Sequence, residues 1–431
     1  MDFVTHTVTG AAIATSVMMA GSRGKRDSSE WTAFFCGVLA SNAPDIDILD
    51  HPLGPDAEGL SYLLYHRGHT HTILVCLGLG AAVASLLALL VPRQSRPSLT
   101  HLMVIGLAGA LLHLGMDATN DYGVHPFWPF SNGWVYGDFI FLFEPLILGA
   151  LLPLALRTFF RDYGSGQRNR RVLAVLVVVV IALIGHLWHL VHQARWITTI
   201  GAAVSTIWIL GHLLIRAYWP ERHLRWLNVV PWTAVAWVWL VFFVCSRHAK
   251  AEAIAFLGKH NPGGHIVQVT TTPAAANPLC WRLVVAGTTD NQRTIEVHLG
   301  TYSLLPAVSP PESCFSPRVP ASIEVLPKSP LPPEAHWSWL GTFHGSYQEL
   351  AGYFENPRVR ATTHALRAPF WQRSADGSVL IGDLRFDYEK DLTKYGKHRF
   401  TPGRVEPICR LPPWDPPFFK EPLAASSLGN R

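Results

Sequence analysis

The chain has 431 residues, of which 49% are hydrophobic and 15% are charged, with 16 tryptophans and a formal net charge of +5. Soluble globular proteins average about 25% charged residues, so this composition favours a membrane protein. The small positive charge arises mainly in short loops, which argues against a nucleic-acid-binding surface. We therefore predict no nucleic-acid partner.

Long uncharged runs explain the low content of charge. Five of them fall in the first 246 residues, at 72–91, 98–116, 172–192, 197–215 and 228–246. Each run is long enough to cross about 30 Å of hydrocarbon as a helix. A sixth run, 139–156, is interrupted only by Glu144, and the segment 2–21 lacks the basic start of a signal peptide, so we interpret it as a retained helix. These runs predict a mostly α, polytopic membrane protein built as a helical bundle.

The pattern of the sequence changes after Arg247. Prolines cluster, and short β-branched or aromatic runs alternate with Gly, Pro and Asn. Four such runs, at 265–273, 280–287, 293–305 and 378–389, predict strands. We therefore divide the chain into a multi-span membrane domain, residues 1–246, and a β-rich, Pro-rich domain outside the bilayer, residues 247–431.

The basic loops predict which side of the membrane each part occupies. Cytoplasmic loops carry the excess of Lys and Arg, and the most basic loops here lie at 157–171 and 216–225. Because two spans separate these loops, they share the cytoplasmic side. Counting spans from them predicts the C-terminal domain on the extracytoplasmic side. An oxidising compartment there would allow one disulfide, and its pairing among Cys280, Cys314 and Cys409 stays open.

Five polar motifs converge on the same extracytoplasmic face in this topology. They are THTVTG, SNAPDIDILDH, YHRGHTH, HLGMDATNDYG and GDFIFLFEP. His113 and Asp117 are four residues apart and share one helix face, while Asp45 and Asp47 point the same way if their segment is extended. An ionised Asp within a bilayer costs roughly 2.5–3.5 kcal/mol, and a bound cation would be its partner.

Each motif by itself has a simpler explanation. A single His6 is often a hydrogen-bonded core residue, the HRGHTH cluster suits contact with lipid headgroups, and an HxxxD pair is frequent by chance. Together on one face, these residues favour a shared metal site. Histidine and carboxylate ligands without thiolate suit a divalent ion, zinc above all, then manganese or iron, and a carboxylate-rich subset also suits magnesium.

The order and spacing of the motifs resemble the YdjM family of inner-membrane proteins. The resemblance covers residues up to about Pro145 and rests on DFVTHTVTGAAIA, PDIDIL, HRGHTHTIL, HLGMDATNDYGVHPFWPFS and the pair Glu144-Pro145. It implies a membrane-bound, metal-dependent hydrolase of the bacterial inner membrane, in some bacteria under LexA control. The metal ligands that it implies are His6, Asp45, Asp47, His66, His71, His113 and Asp117, with His69 outside the set.

The hypothesis of a metal-dependent hydrolase agrees with the reactive residues present in the sequence. It contains no nucleophile elbow, P-loop or dinucleotide fingerprint, whereas a metal-activated water needs only His and Asp ligands. We expect Asp45 and Asp117 to act as catalytic carboxylates and Arg67 to clamp an anionic group of the substrate. Asp138 or Glu144 would orient a ligand histidine. A site at the outer edge of the bilayer suits a lipid or lipid-linked phosphoester, with the lipid bilayer itself as partner.

Two other classes of function stay open. A metal or proton transporter would use these residues as a binding station, although transporters place such groups near the midplane of repeated halves. Here the ionisable groups collect at one end, and no repeat is visible. A structural membrane protein would use a closed metal site to brace its helices, and open coordination positions distinguish an enzyme from it.

Overall fold

The computed structural model describes residues 1–21, 29–49, 66–131, 133–158, 204–205, 207–209, 211, 228–289, 293–315, 326–356, 359, 366–373, 376–386 and 397–400. The predicted run 172–192, most of the run 197–215, the basic segments 161–171 and 216–225, and Cys409 lie outside these residues.

The N-terminal part is helical. Its helices are α1 (Phe3–Gly21), α2 (Ser29–Asn42), α3 (Ile73–Leu90), α4 (Leu99–Asp117), α5 (Pro145–Ala155) and α6 (Val230–His260). Of these, α1, α3, α4 and α6 are long and apolar enough to cross a membrane. Helix α2 has 14 residues and α5 has 11, so both are short for a full span. The predicted helical membrane bundle is confirmed in the described part of the chain.

Glycines allow two helix pairs to pack closely. A β-carbon on Gly10 of α1 would collide with the carbonyl oxygen of Gly37 in α2, and one on Gly80 of α3 would collide with that of Gly106 in α4. Small residues at such crossings let membrane helices approach and pack without hydrophobic driving force between them. Helix α4 also packs on α1 and α2, so the four helices form one bundle.

The C-terminal part is a β domain with two antiparallel sheets. The first has the order β1 (His265–Ala274), β2 (Asn277–Thr289), β3 (Thr294–Ser303) and β4 (Trp337–Ser346), and the second contains β5 (Pro369–Arg373), β6 (Val379–Asp383) and β7 (Lys397–Phe400). A short helix, α7 (Tyr347–Tyr353), follows β4. The predicted strand runs match β1, β2, β3 and β6, whereas β4, β5 and β7 lie outside them. A disulfide joins Cys280 to Cys314, which answers the open question of pairing for these two residues.

The two parts of the chain are continuous through α6. The predicted boundary between residues 246 and 247 lies inside this helix, which runs to His260 and packs on β1 and β2. The β domain therefore leaves the bundle on a rigid helical stem.

A buried ion pair holds the β domain against the loop 118–144, which follows α4. Arg367 donates from Nη1 to Asp138 Oδ1 (2.6 Å) and from Nη2 to Oδ2 (2.8 Å), and Lys250 Nζ donates to Oδ2 (2.7 Å). Asp138 and Arg367 are both buried. Burial by itself raises the pKa of Asp138, but Arg367 and Lys250 outweigh it and lower the pKa to about 2. The carboxylate is therefore ionised and links both halves of the chain.

Removing the guanidinium of Arg367 should loosen this contact. In Arg367→Gln, the buried carboxylate of Asp138 keeps only Lys250 as a cationic partner. The loss should lower the free energy of unfolding by on the order of 3 kcal/mol. Amide hydrogen exchange in the loop 118–144 measures the loss as faster local opening.

The exposed pair of Arg373 with Glu349 provides a matched control. Arg373 Nε lies 3.0 Å from Glu349 Oε1, and the Arg373 side chain is 66% exposed. Arg373→Gln should cost less than about 1 kcal/mol. Equal protection of the loop in both variants would contradict a role for the buried pair.

Candidate metal centre

Three chain segments bring four ligand side chains together at one end of the bundle. Asp45 lies on a 3₁₀ helix (Ala43–Leu49) that follows α2, His71 lies in the turn before α3, and His113 and Asp117 occupy the last turns of α4. The segment of Asp45 and Asp47 is thus helical, so the condition that it be extended is not met, and Pro44 stands at the second position of its first turn. The side chain of Thr72 caps α3 by accepting from Val75 N, which fixes the turn that carries His71.

The distances between the four ligand atoms match the distances between the ligands of a tetrahedrally coordinated metal ion. His71 Nε2 lies 3.3 Å from Asp45 Oδ1 and 3.2 Å from Asp117 Oδ2. His113 Nε2 lies 3.5 Å and 3.4 Å from the same two oxygens, and the two Nε2 atoms are 3.1 Å apart. Ligands bound at about 2.0–2.1 Å to a tetrahedral zinc ion lie roughly 3.3 Å from one another. Asp45, His71, His113 and Asp117 therefore fit one divalent cation.

The hydrogen bonds behind both histidines direct Nε2 towards this centre. His113 Nδ1 lies 2.7 Å from the Ser41 carbonyl oxygen, which can only accept, so Nδ1 carries the hydrogen. Thr70 Oγ1 donates to Asp47 Oδ2 (2.6 Å) and therefore accepts from His71 Nδ1 (2.9 Å). In each neutral ring, Nε2 is left with its electron pair free for a metal.

Arg67 binds a ligand carboxylate. Its Nη2 donates to Asp117 Oδ1 (3.0 Å) and its Nη1 donates to Asn120 Oδ1 (3.0 Å). The Arg67 side chain is buried, and its guanidinium lies over the ring of Tyr122. This geometry holds Asp117 with Oδ2 turned towards the two histidines, and the main-chain nitrogen of Met1 also contacts Oδ1.

His6 lies beside the four-ligand group. Its ring is fully buried and stacks on His113 at 3.7 Å between centroids, and its Nε2 is 3.3 Å from Asp117 Oδ1. Within the described part of the chain, neither ring nitrogen of His6 makes a hydrogen bond. Its Nε2 faces the oxygen of Asp117 that points away from the other ligands.

Asp47 and His66 form a second group with Asp45. Asp47 Oδ2 accepts from Arg67 N (2.9 Å) and from Thr70 Oγ1, whereas Asp47 Oδ1 lies 3.1 Å from His66 Nδ1. Burial raises the pKa of Asp47, but its contacts with His66 and His71 outweigh this and hold the pKa below its usual range. Burial lowers the pKa of His66 to about 4, so its ring is neutral at pH 7 and is able to bind a cation.

Other predicted residues lie elsewhere. His69 is exposed and contacts Trp128 edge-on, outside both groups. Asp138 or Glu144 was predicted to orient a ligand histidine, but each has other partners. Asp138 binds Arg367, and Glu144 caps α5 and accepts from Ala276 N of the β domain. Thr70 and Asn120 were not predicted as site residues, although both lie inside the quoted motifs.

Comparisons with known proteins concern mainly the N-terminal part of the chain. Residues 1–197 match the family model described as YdjM inner membrane protein. This match confirms the predicted resemblance of the N-terminal part to the YdjM family. The match contains every predicted ligand, and together with the apolar helices it indicates a multi-pass protein of the inner membrane.

One curated relative is similar over a shorter stretch. The "Uncharacterized protein YfhP" of Bacillus subtilis (strain 168) is 31% identical over 147 residues, which cover 34% of this chain and 43% of the relative. The chain thus matches less than half the length of that protein. No solved structure matches the chain.

The hydroxyl of Thr70 should matter for metal binding. In Thr70→Val, His71 Nδ1 loses its nearest acceptor and keeps only the longer contact of 3.5 Å with Asp47 Oδ2, so we expect the affinity for Zn²⁺ to fall about 10-fold, the lower end of the range for partners of ligand histidines. Competition with a chromophoric chelator measures this affinity. Thr70→Ser keeps the hydroxyl and should bind Zn²⁺ as the wild type does. Wild-type affinity in Thr70→Val would exclude a role in metal binding for the hydrogen bonds that join Asp47, Thr70 and His71.

Proposed function

We propose that the protein is a membrane-bound, metal-dependent hydrolase whose centre is formed by Asp45, His71, His113 and Asp117, with zinc as the preferred ion. The observation that carries the proposal is the set of ligand-to-ligand distances of 3.1–3.5 Å. Two imidazoles that carry their hydrogen on Nδ1 and two carboxylates at these distances suit one divalent cation better than they suit hydrogen bonding among themselves.

A divalent cation would supply Lewis acidity and activate water for attack on an ester. The residues of the chain would orient the metal ligands and accept a proton from the attacking water. Arg67 fixes Asp117, while Ser41 and Thr70 fix the two ring tautomers. Asp45 is 14% exposed, whereas the other three side chains are fully buried, so substrate and water reach the centre from the side of Asp45. An oxygen of Asp45 that is not bound to a cation would accept the proton of the attacking water.

The substrate that fits this location best is a lipid or lipid-linked phosphoester. Ile46 and Ile48 alternate with the two aspartates and are 54% and 40% exposed. Exposed apolar side chains next in sequence to the metal ligands suit a substrate with a polar head and an apolar tail. On this proposal the centre and the β domain face the extracytoplasmic side. The basic loops of the sequence support that sidedness, as does the disulfide of the β domain, since disulfides persist in oxidising compartments.

A structural role is the second candidate, because four protein ligands can close a tetrahedral shell. Such a centre would brace α2, α3 and α4 without turning over any substrate. The two candidates predict different results for a metal-loaded protein offered a range of esters.

The test uses the full chain purified in detergent and loaded with Zn²⁺. Phosphodiesters, phosphomonoesters and phospholipids are screened with the wild type, Asp117→Asn and His69→Ala. We expect turnover of at least one class by the wild type and by His69→Ala. In Asp117→Asn it should fall by more than about 100-fold, because even the outer partners of metal ligands are worth about 10- to 100-fold.

The contrary outcomes are specific. Bound Zn²⁺ with no turnover of any ester would favour the structural role. Uptake of Zn²⁺ into proteoliposomes that is lost in Asp117→Asn would favour a transporter.

A further inference from the structure

The four-ligand group leaves a chemical problem unsolved. Catalytic zinc sites usually have three protein ligands and an open position, whereas closed four-ligand sites are structural. Here His71, His113 and Asp117 are fully buried, and all four corners of the tetrahedron are taken by protein atoms. A hydrolase needs an open position close to this group.

The second group, Asp45, Asp47 and His66, has three protein ligands instead of four and lies on the less buried side of the centre. Their ligand atoms lie within 4.8 Å of one another, and the 3.1 Å between Asp47 Oδ1 and His66 Nδ1 equals the distance between the two Nε2 atoms of the first group. The three side chains are 14%, 7% and 8% exposed, whereas His71, His113 and Asp117 are fully buried, so the second group is the less buried side of the centre.

Asp45 belongs to both groups. A carboxylate has two oxygens and about four lone-pair sites, so one aspartate can bind two cations. Asp47 is also divided: Oδ2 accepts from Arg67 N and Thr70, while Oδ1 faces His66. The hydrogen bonds on Oδ2 therefore hold Asp47 in place without using the oxygen on the His66 side.

We propose that Asp45, Asp47 and His66 form a second cation subsite that shares Asp45 with the first, so that the protein has a two-ion centre. With three protein ligands, the second subsite provides the open position for water and substrate. This last step rests on the proposed hydrolase function, whereas the number of ions does not.

The charges indicate a class of substrate for a two-ion centre. Among the side chains of the centre, Asp45, Asp47 and Asp117 carry three negative charges, and the guanidinium of Arg67 offsets one of them. One divalent ion neutralises the remaining two charges, and a second gives the centre an excess of two positive charges. Such an excess suits an anionic phosphate ester, and paired metal ions are common in phosphatases and nucleases. It also supplies the positive charge that Arg67, bound to Asp117, does not direct at the substrate.

The test counts ions and does not depend on turnover. The full chain in detergent is dialysed against buffered Zn²⁺, and bound zinc is measured by elemental analysis. We expect two ions per chain in the wild type, one in His66→Ala, and two in His69→Ala, which removes a neighbouring histidine outside both groups. One ion per chain in the wild type at saturation would overturn the proposal, as would two ions in His66→Ala.

Loading with Mn²⁺ gives an independent readout of distance. Two Mn²⁺ ions that share a carboxylate couple magnetically and broaden the six-line electron paramagnetic resonance spectrum. The wild type and His69→Ala should show this coupling, and His66→Ala should show the spectrum of an isolated ion. An uncoupled spectrum in the fully loaded wild type would contradict the shared Asp45. Two coupled ions without any ester turnover would support the subsite and count against the hydrolase.

Discussion

The buried carboxylate of Asp117 is the constraint on which the rest of the site depends. It lies at the end of an apolar helix, fully buried, and an uncompensated charge there would be very unfavourable. Arg67 donates a hydrogen bond to Oδ1 of this carboxylate, and the imidazoles of His71 and His113 lie next to Oδ2. The two imidazole nitrogens and Oδ2 form three corners of the proposed metal centre, where a divalent cation would balance the charge of the carboxylate.

The packing of the bundle serves this arrangement. The glycine contacts between α1 and α2 and between α3 and α4 set the helices at a short distance, which brings the end of α2, the turn before α3 and the end of α4 to one place. The Ser41 carbonyl belongs to the last turn of α2, where helix carbonyls lack partners within the helix. It accepts from His113, so a helix end that would need water is used to orient a ligand.

Much of the fold and site could be predicted from the sequence because the signals are local and strong. Uncharged runs predicted α1, α3, α4 and α6, and the i, i+4 spacing of His113 and Asp117 placed both on one helix face. The strand β4, WSWLGTFHGS, was missed because its glycines and small polar residues weaken the alternation that marks a strand. The contact of Arg67 with Asp117 joins residues 50 positions apart, and no sequence spacing reports such a pair.

The position of the β domain follows from the same buried charges. Asp117 ends α4, and the loop after it carries Asn120, which binds Arg67, and Asp138, which binds Arg367. Fixing Asp138 therefore limits the movement of the segment that holds Asn120 and, through Arg67, the carboxylate of Asp117. Buried ion pairs add little net stability compared with apolar packing, but they accept few alternative geometries. The ion pair of Asp138 with Arg367 therefore contributes mainly to positioning: it holds the β domain, the loop and the metal ligands in one arrangement.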